Sequence, residues 1–296
     1  MHSVFSLLIV TFTALAAGSF APTERDVIKK EYAVSPGGTL HLDLDRGNIE
    51  VEVTEKARVF IEMERIAKAK EKEEAKSILE HHEYAFERRH NDVYVRSRYD
   101  ADRFAWNLRK RPSLKINVVV RVPSEYNVVF SNGAGNVEVF DVVGDVRGTT
   151  GAGNVTLENI EGRVEVSSGA GNLEVSGAIG AAEVNTGAGN IALYDLQGTV
   201  QAGTGAGNID AVIVHQPEGH SRFGSGAGNV TVALSDDIGV FVRATANIGS
   251  AKCEFPLTVS KKLLSKSFSG EINGGGAELE LHAAVGNVVL KRHRTR

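Results

Sequence analysis

Apolar and polar residues alternate with a period of two along most of the chain, and the alternation itself recurs every 18 residues. Gly-Ala-Gly-Asn stands at 133–136, 151–154, 169–172, 187–190, 205–208 and 226–229, spaced by 18 except for a last gap of 21. A fixed short period marks a solenoid, a propeller or an array, and 18 residues are too few for a propeller blade or a helical pair. Each 18 divides into two nines, as GAGNVTLEN (151–159) over IEGRVEVSS (160–168) shows. Every nine reads as one short strand with two inward side chains and a Gly-bearing turn. The period-two rule places Val137/Val139, Val155/Leu157, Leu173/Val175, Ile191/Leu193, Ile209/Ala211 and Val230/Val232 inward on one sheet. It places Val146/Gly148, Val164/Val166, Ala182/Val184 and Val200/Ala202 inward on the other.

The expected fold is all-β: a right-handed parallel β-solenoid with two short strands per 18-residue coil and a rise of about 4.8 Å per coil. Pro is absent from Ser124 to Gln216, as an unbroken ladder requires. The outward column Glu138, Thr156, Glu174, Ala192, Asp210, Thr231 spaces its acids by a neutral residue, avoiding like charges directly opposite each other. Asn136, Asn154, Asn172, Asn190, Asn208 and Asn229 form a column read as a structural amide ladder. The hydroxyls Thr150, Ser168, Thr186, Thr204 and Ser225 precede it and read as turn chemistry.

Outside the repeats the pattern changes. Leu40, Leu42 and Leu44 alternate before a degenerate unit at Gly47-Asn48-Ile49, and Val59, Ile61 and Met63 continue as a strand. Lys68 to His82 reads as one helix with Ala75, Ile78 and Leu79 on one face. A hairpin turning at His90-Asn91-Asp92 and an apolar strand Leu114–Val122 complete an N-terminal α/β cap over the exposed end of the stack. After Leu234 the period lapses, and Ala277/Leu279/Leu281 and Gly286-Asn287-Val288 restore it. The expected divisions are a signal peptide (1–21), the cap region (22–123), regular coils (124–234), irregular coils (235–290) and a basic tail (291–296).

Residues 1–23 carry no charged side chain, and an apolar run ends in Ser19-Phe20-Ala21, the shape of a secretory signal peptide. Export to periplasm, cell surface or medium is expected, with cleavage favoured over an N-terminal anchor. The single Cys253 excludes an intrachain disulfide and a Cys-based zinc cluster. A net charge of −4 argues against general nucleic-acid binding. The basic stretch Arg103 to Lys115, with Phe104 and Trp106, and the tail from Lys291 could meet an anionic surface, though a solvated loop is the simpler reading.

At Leu114–Pro123, Val128-Val129-Phe130-Ser131 and the Gly-Asn-Val repeats, the chain resembles the bacterial β-strand-repeat family of candidate adhesins. That family is a domain of unknown function related to auto-transporter adhesin head-domain proteins. The resemblance covers roughly residues 34–290 and implies a β-solenoid, bacterial export and surface attachment. It supplies no catalytic residue to carry over.

Chemical alternatives find little footing. Calcium-binding nonapeptide rolls need an Asp in each nine, which is missing here. A polysaccharide-cleaving β-helix needs clustered carboxylates. Asp236-Asp237 is the one adjacent acidic pair near the stack, and Glu158 and Glu161 read as solvated charges. His215, Glu218 and His220 lie in a Pro/Gly loop without rigid ligand spacing, and His82-Glu83 lacks the second His of a zinc protease motif, Phe86 standing there. A flat Thr array for ice is not present. The expectation is therefore an exported, non-enzymatic, adhesin-like or envelope-scaffold solenoid without catalytic, metal or cofactor site. Its expected partner is an envelope polysaccharide or protein, with membrane contact only through the N-terminal segment or the basic loop. A carbohydrate-binding or polysaccharide-cleaving β-helix is the alternative.

Overall fold

The computed structural model describes residues 23–98, 113–257 and 266–293. Residues 1–21, expected as a signal peptide, the greater part of the basic stretch (103–112, including Phe104 and Trp106) and residues 294–296 of the tail lie outside the described residues. In chain order the N-terminal part comprises β1 (Thr23–Ala33), β2 (Gly38–Leu44), β3 (Asn48–Thr54), β4 (Arg58–Lys68), α1 (Lys72–Glu80), β5 (Glu83–Arg89), β6 (Asp92–Arg98) and β7 (Ser113–Pro123). The repeats follow as β8 (Tyr126–Ala134), β9 (Val137–Phe140), β10 (Val146–Ala152), β11 (Val155–Glu158), β12 (Val164–Ala170), β13 (Leu173–Ser176), β14 (Ala182–Ala188), β15 (Ile191–Tyr194), β16 (Val200–Ala206), β17 (Ile209–Ile213), β18 (Ser221–Ala227) and β19 (Val230–Leu234). The C-terminal part holds β20 (Val240–Ile248), β21 (Ala251–Cys253), β22 (Lys266–Ile272), β23 (Ala277–Val285) and β24 (Val288–Arg292).

These strands form two 12-stranded sheets facing each other across one core. The first carries the short strands, from β9 to β19 by odd numbers, and the second the longer ones, from β8 to β18 by even numbers. Within the repeats every strand pairs in parallel with its equivalent in the next coil, 18 residues away as Val146↔Val164 and Leu157↔Val175 show, and 21 away at the last coil, as Gln201↔Arg222 and Ile209↔Val230 show. The alternation therefore buries the residues it should: Val139, Val164, Val184 and Val232 have no exposed surface. Burying each such side chain stabilises the coil by roughly 1.5–3 kcal/mol.

The halves of a coil are less alike than the nines suggest. From β10 to β18 the strands of the second sheet run seven residues and carry three inward positions, so Ser168 follows Val164 and Val166 into the core. The hydroxyl column is thus interior. Thr186 Oγ1 donates to the Gly171 carbonyl at 3.0 Å, Thr204 Oγ1 to Gly189 at 2.9 Å and Ser225 Oγ to Gly207 at 2.8 Å, each reaching the turn of the preceding coil. A third apolar column, Val142, Ile160, Ala178 and Leu196, closes the core where single-residue bridges link Glu125, Val143, Glu161, Ile179 and Gln197. The corner before it needs a left-handed residue and finds Asp141, Asn159, Gly177 and Asp195 at φ 54–63°.

At both ends, rung order departs from chain order. β2 and β3 form the rung next to β8 and β9, after which the chain passes outward to β4, β6 and β7 and then returns. At the other end, β23 and β24 slot between β18/β19 and the earlier strands β20/β21. The irregular C-terminal coils are thus regular rungs visited out of sequence. Antiparallel partners finish the ends: β1 on β4, β5 on β6 and β22 on β20. The helix is shorter than its hydrophobic period, because residues up to Lys68 are held as strand against Thr23 and Ser113. α1 buries Ala75 and Ile78 and packs on β1 and β4.

Candidate functional site

The Asn column is the most regular polar feature. Each Asn side-chain oxygen accepts from the main-chain N–H of the Asn one rung on: Asn154 N donates to Asn136 Oδ1 at 3.1 Å, Asn172 to Asn154 and Asn190 to Asn172 at 2.9 Å, Asn208 to Asn190 at 2.8 Å, and Asn229 to Asn208 at 2.9 Å. The column continues past the repeats through Asn48, which accepts from Asn136 N, and Asn287, whose N–H reaches Asn229 Oδ1 at 2.9 Å. Asn117 joins at the N-terminal end, bonded by Asn48 Nδ2 at 3.1 Å and itself donating to Glu64. The Gly after each Ala lets the coils approach at this turn. Gly171 sits at φ 152°, and a Cβ there would overlap the Gly153 carbonyl oxygen. The ladder's chemistry is spent on main-chain N–H groups.

The outward columns of the second sheet vary in charge and size along the stack. Register aligns Tyr94, His41, Val129, Arg147, Glu165, Glu183, Gln201, Arg222, Glu280 and Arg243 in one column. His41 and Tyr94 stack at 4.4 Å with 3° between ring planes, and burial lowers the His41 pKa. The neighbouring column is short: Ser131, Thr149, Ser167, Asn185, Gly203 and Gly224. This face is therefore low on one side and charged on the other, over a continuous ladder.

The first sheet keeps the alternating acidic column, with Glu138, Thr156 and Glu174 in register. Rung β3 adds Glu50 directly opposite Glu138. Burial, then Glu52 and Glu138, push the Glu50 pKa up.

A buried polar cluster lies in the N-terminal cap. Arg65 on β4, 6 % exposed, pairs with Asp26 of β1 at 3.0 and 2.5 Å and donates to the Leu79 carbonyl of α1 at 2.8 Å. Its other neighbour is His82, 4 % exposed, whose Nδ1 lies 3.4 Å from Arg65 Nη1. The facing guanidinium makes Nδ1 the acceptor, so Nε2–H donates to Ser97 Oγ of β6 at 2.9 Å. Tyr84 of β5 lies under the guanidinium at 4.8 Å. Burial first and Arg65 second lower the His82 pKa to about 4. Ser97 is 1 % exposed, which suits a tie between elements rather than a nucleophile.

The other sequence candidates are dispersed. His215 meets Asp195 at 3.1 Å, while His220 faces Glu278 and Glu280 of β23, so the two do not converge. Asp236 is held by Arg292 at 2.7 Å. Cys253 is half-buried, with its pKa pushed up by burial. Among the described residues, no group of three or more His, Cys, Asp or Glu is placed to hold a metal ion. No helix among them is long and apolar enough to cross a membrane.

A family model described as Toastrack DUF4097 matches residues 39–291. No curated protein matches the chain. Among solved structures, a candidate adhesin from Bacteroides fragilis aligns at 13 % identity over 90 % of this chain and 97 % of its own, with a TM-score of 0.46. A candidate cell adhesion protein from Clostridium sporogenes aligns at 12 % over 90 % and 100 %, with a TM-score of 0.29. A candidate lipid-binding protein from Parabacteroides distasonis aligns at 11 % over 90 % and 97 %, with a TM-score of 0.30.

Proposed function

Because this chain belongs to the Toastrack DUF4097 family, we propose that it is an exported, non-enzymatic surface-interaction module, adhesin-like, that engages an envelope polysaccharide or protein through the outer face of its second sheet. One observation carries this reading. That face joins a column of short side chains to a column of varied charged ones, all fixed by a parallel ladder running through β8, β10, β12, β14, β16 and β18. Side chains on such a ladder are positioned by backbone pairing rather than by loops, so a recognition surface is already organised before its partner arrives.

The test compares Ser167→Arg, on the outer face of the second sheet, with Thr156→Arg, on that of the first. The full chain is applied to immobilised envelope fractions and to a polysaccharide panel. Binding that is lost with Ser167→Arg and kept with Thr156→Arg is expected. Equal behaviour of the two variants overturns the assignment of the face. Release of reducing ends from a polysaccharide, abolished by replacing one carboxylate, overturns the non-enzymatic reading.

A further inference from the structure

The outer face of the second sheet holds a depression of about 480 Å³ over rungs β10, β12 and β14. Its sides are Arg147, Thr149, Glu165, Ser167, Glu183 and Asn185, and Gly148 lies in its floor. All six named side chains project from the ladder in two adjacent columns, two per rung.

Its charge pattern departs from the other regular coils, although an acidic pair also meets at the N-terminal end of the first sheet, where Glu50 faces Glu138. On the first sheet a neutral residue separates successive acids from Glu138 to Asp210. In the depression Glu165 and Glu183 stand directly opposite each other on neighbouring strands. Like charges in that position cost stability. Arg147 offsets one side only, reaching Asp145 at 2.7 Å and Glu165 at 3.7 Å. Glu183 accepts from Asn185 Nδ2 at 3.3 Å, and among the described residues no cation pairs with it. Nothing in the coil's own architecture requires a second carboxylate here, since Gln201 serves the same column one rung on.

The remaining groups define what could complete it. Two hydroxyls, an amide and a guanidinium offer donors and acceptors at the spacing of strands and of alternate residues. The volume lies within the ~300–1,000 Å³ usual for small-ligand clefts. Polyhydroxylated rings match such a mixed set, and an ammonium on the ring would settle between the two carboxylates. Resting on the face assigned above, we propose that this depression is a subsite for an amine-bearing sugar, a hexosamine unit with a free amino group within an envelope glycan. The site is open, so its ion pairs are screened and the affinity is modest and salt-dependent.

The test uses the full chain and three probes: a glucosamine hexasaccharide, its fully N-acetylated counterpart and maltohexaose, titrated by calorimetry at 50 and 500 mM salt. The glucosamine form is expected to bind at least tenfold more tightly than either of the others, and to weaken at high salt. Glu183→Gln is expected to weaken it at least fivefold, whereas Glu174→Gln on the other sheet leaves it unchanged. The thermal midpoint of Glu183→Gln is expected to hold or rise, because a like-charge contact is removed, so lost binding cannot be ascribed to misfolding. Equal binding of the amine and N-acetyl forms, no binding of the amine form, or unaltered binding by Glu183→Gln overturns the subsite. The envelope-fraction assay with Ser167→Arg and Thr156→Arg is independent of these probes, and its outcome decides whether the wider face falls as well.

Discussion

His82 makes the N-terminal cap sensitive to acid, and the size of the effect follows from its surroundings. The imidazole sits between Arg65 Nη1 and Ser97 Oγ, with Asp26 and Asp45 as the nearby carboxylates and Tyr84 stacked against it at 5.9 Å. Protonating Nδ1 would turn a hydrogen toward the guanidinium that now donates to it. The pKa therefore falls from 6.5 to about 4. Between those values the unfolded cap binds a proton that the folded cap refuses. The contribution is complete above pH 6.5, declines as pH falls and is exhausted near pH 4. At 1.36 kcal/mol per pKa unit, the difference amounts to about 3 kcal/mol. A stack of rungs need not unfold in one step, so a local measurement is required. Hydrogen exchange of α1 and β5–β6 amides, corrected for intrinsic rates, should show protection falling by about 2–3 kcal/mol between pH 7 and 4.5. His82→Gln should be less protected at pH 7 and should lose most of that slope. If wild type and His82→Gln follow the same pH dependence, the assignment of the acid response to this imidazole is wrong.

Other expectations test the coil itself. Val164→Asp buries an unpaired charge at a position with no exposed surface and should cost roughly 4 kcal/mol or more in thermal or chaotrope melts. Thr156→Asp faces solvent between Glu138 and Glu174, so its cost should stay below about 1 kcal/mol and shrink with added salt. Gly171→Ala meets both the Gly153 carbonyl and a φ of 152°, and should lower the melting midpoint far more than Ala170→Ser on the exposed turn. Glu50 has a raised pKa, so its ionised form opposes folding; Glu50→Gln should stabilise at pH 7 by up to about 1 kcal/mol, and the gain should vanish below pH 4.

The coils were legible because their two signals coincide: a side-chain period of two and a repeat length that never slips between Gly133 and Asn208. Ser168 was misplaced although Val164, Val166 and Ser168 fall on one face by that same period. Its hydroxyl suggested a turn, yet a turn carbonyl of the preceding coil, Gly153 O at 3.4 Å, satisfies it from inside. The third apolar column was also present, since Ile160 and Leu196 open their nines with an apolar residue. The ends were harder to read. Gly47-Asn48-Ile49 and Gly286-Asn287-Val288 announce rungs, but nothing local says that each lies inside strands adjacent in neither direction of the chain. The Arg65–His82 contact has no period at all: it joins β4 to the end of α1 only after both have docked. The depression was invisible for a related reason. Glu165 and Glu183 are 18 apart like the other stacked pairs between Gly133 and Asn208, and only their sameness of charge distinguishes them.

Interior and exterior of this solenoid obey different constraints, which bears on where recognition can reside. Stacking fixes the interior: the inward residues of the coils are mostly Val, Leu, Ile and Ala with a hydroxyl column beside them, and the Asn column holds through eight rungs from Asn48 to Asn287. One wrong volume or charge there is felt by the coils on both sides. The outward column of the second sheet carries no such demand, and it changes from arginine to glutamate to glutamine to arginine along Arg147, Glu165, Glu183, Gln201 and Arg222. Where a repeat ceases to repeat without structural need, the departure is free to serve a partner. The depression described on that face coincides with the rungs where this column tolerates an unfavourable pair. A cost the stack could have avoided by a single neutral residue is the physical reason for placing the binding chemistry there.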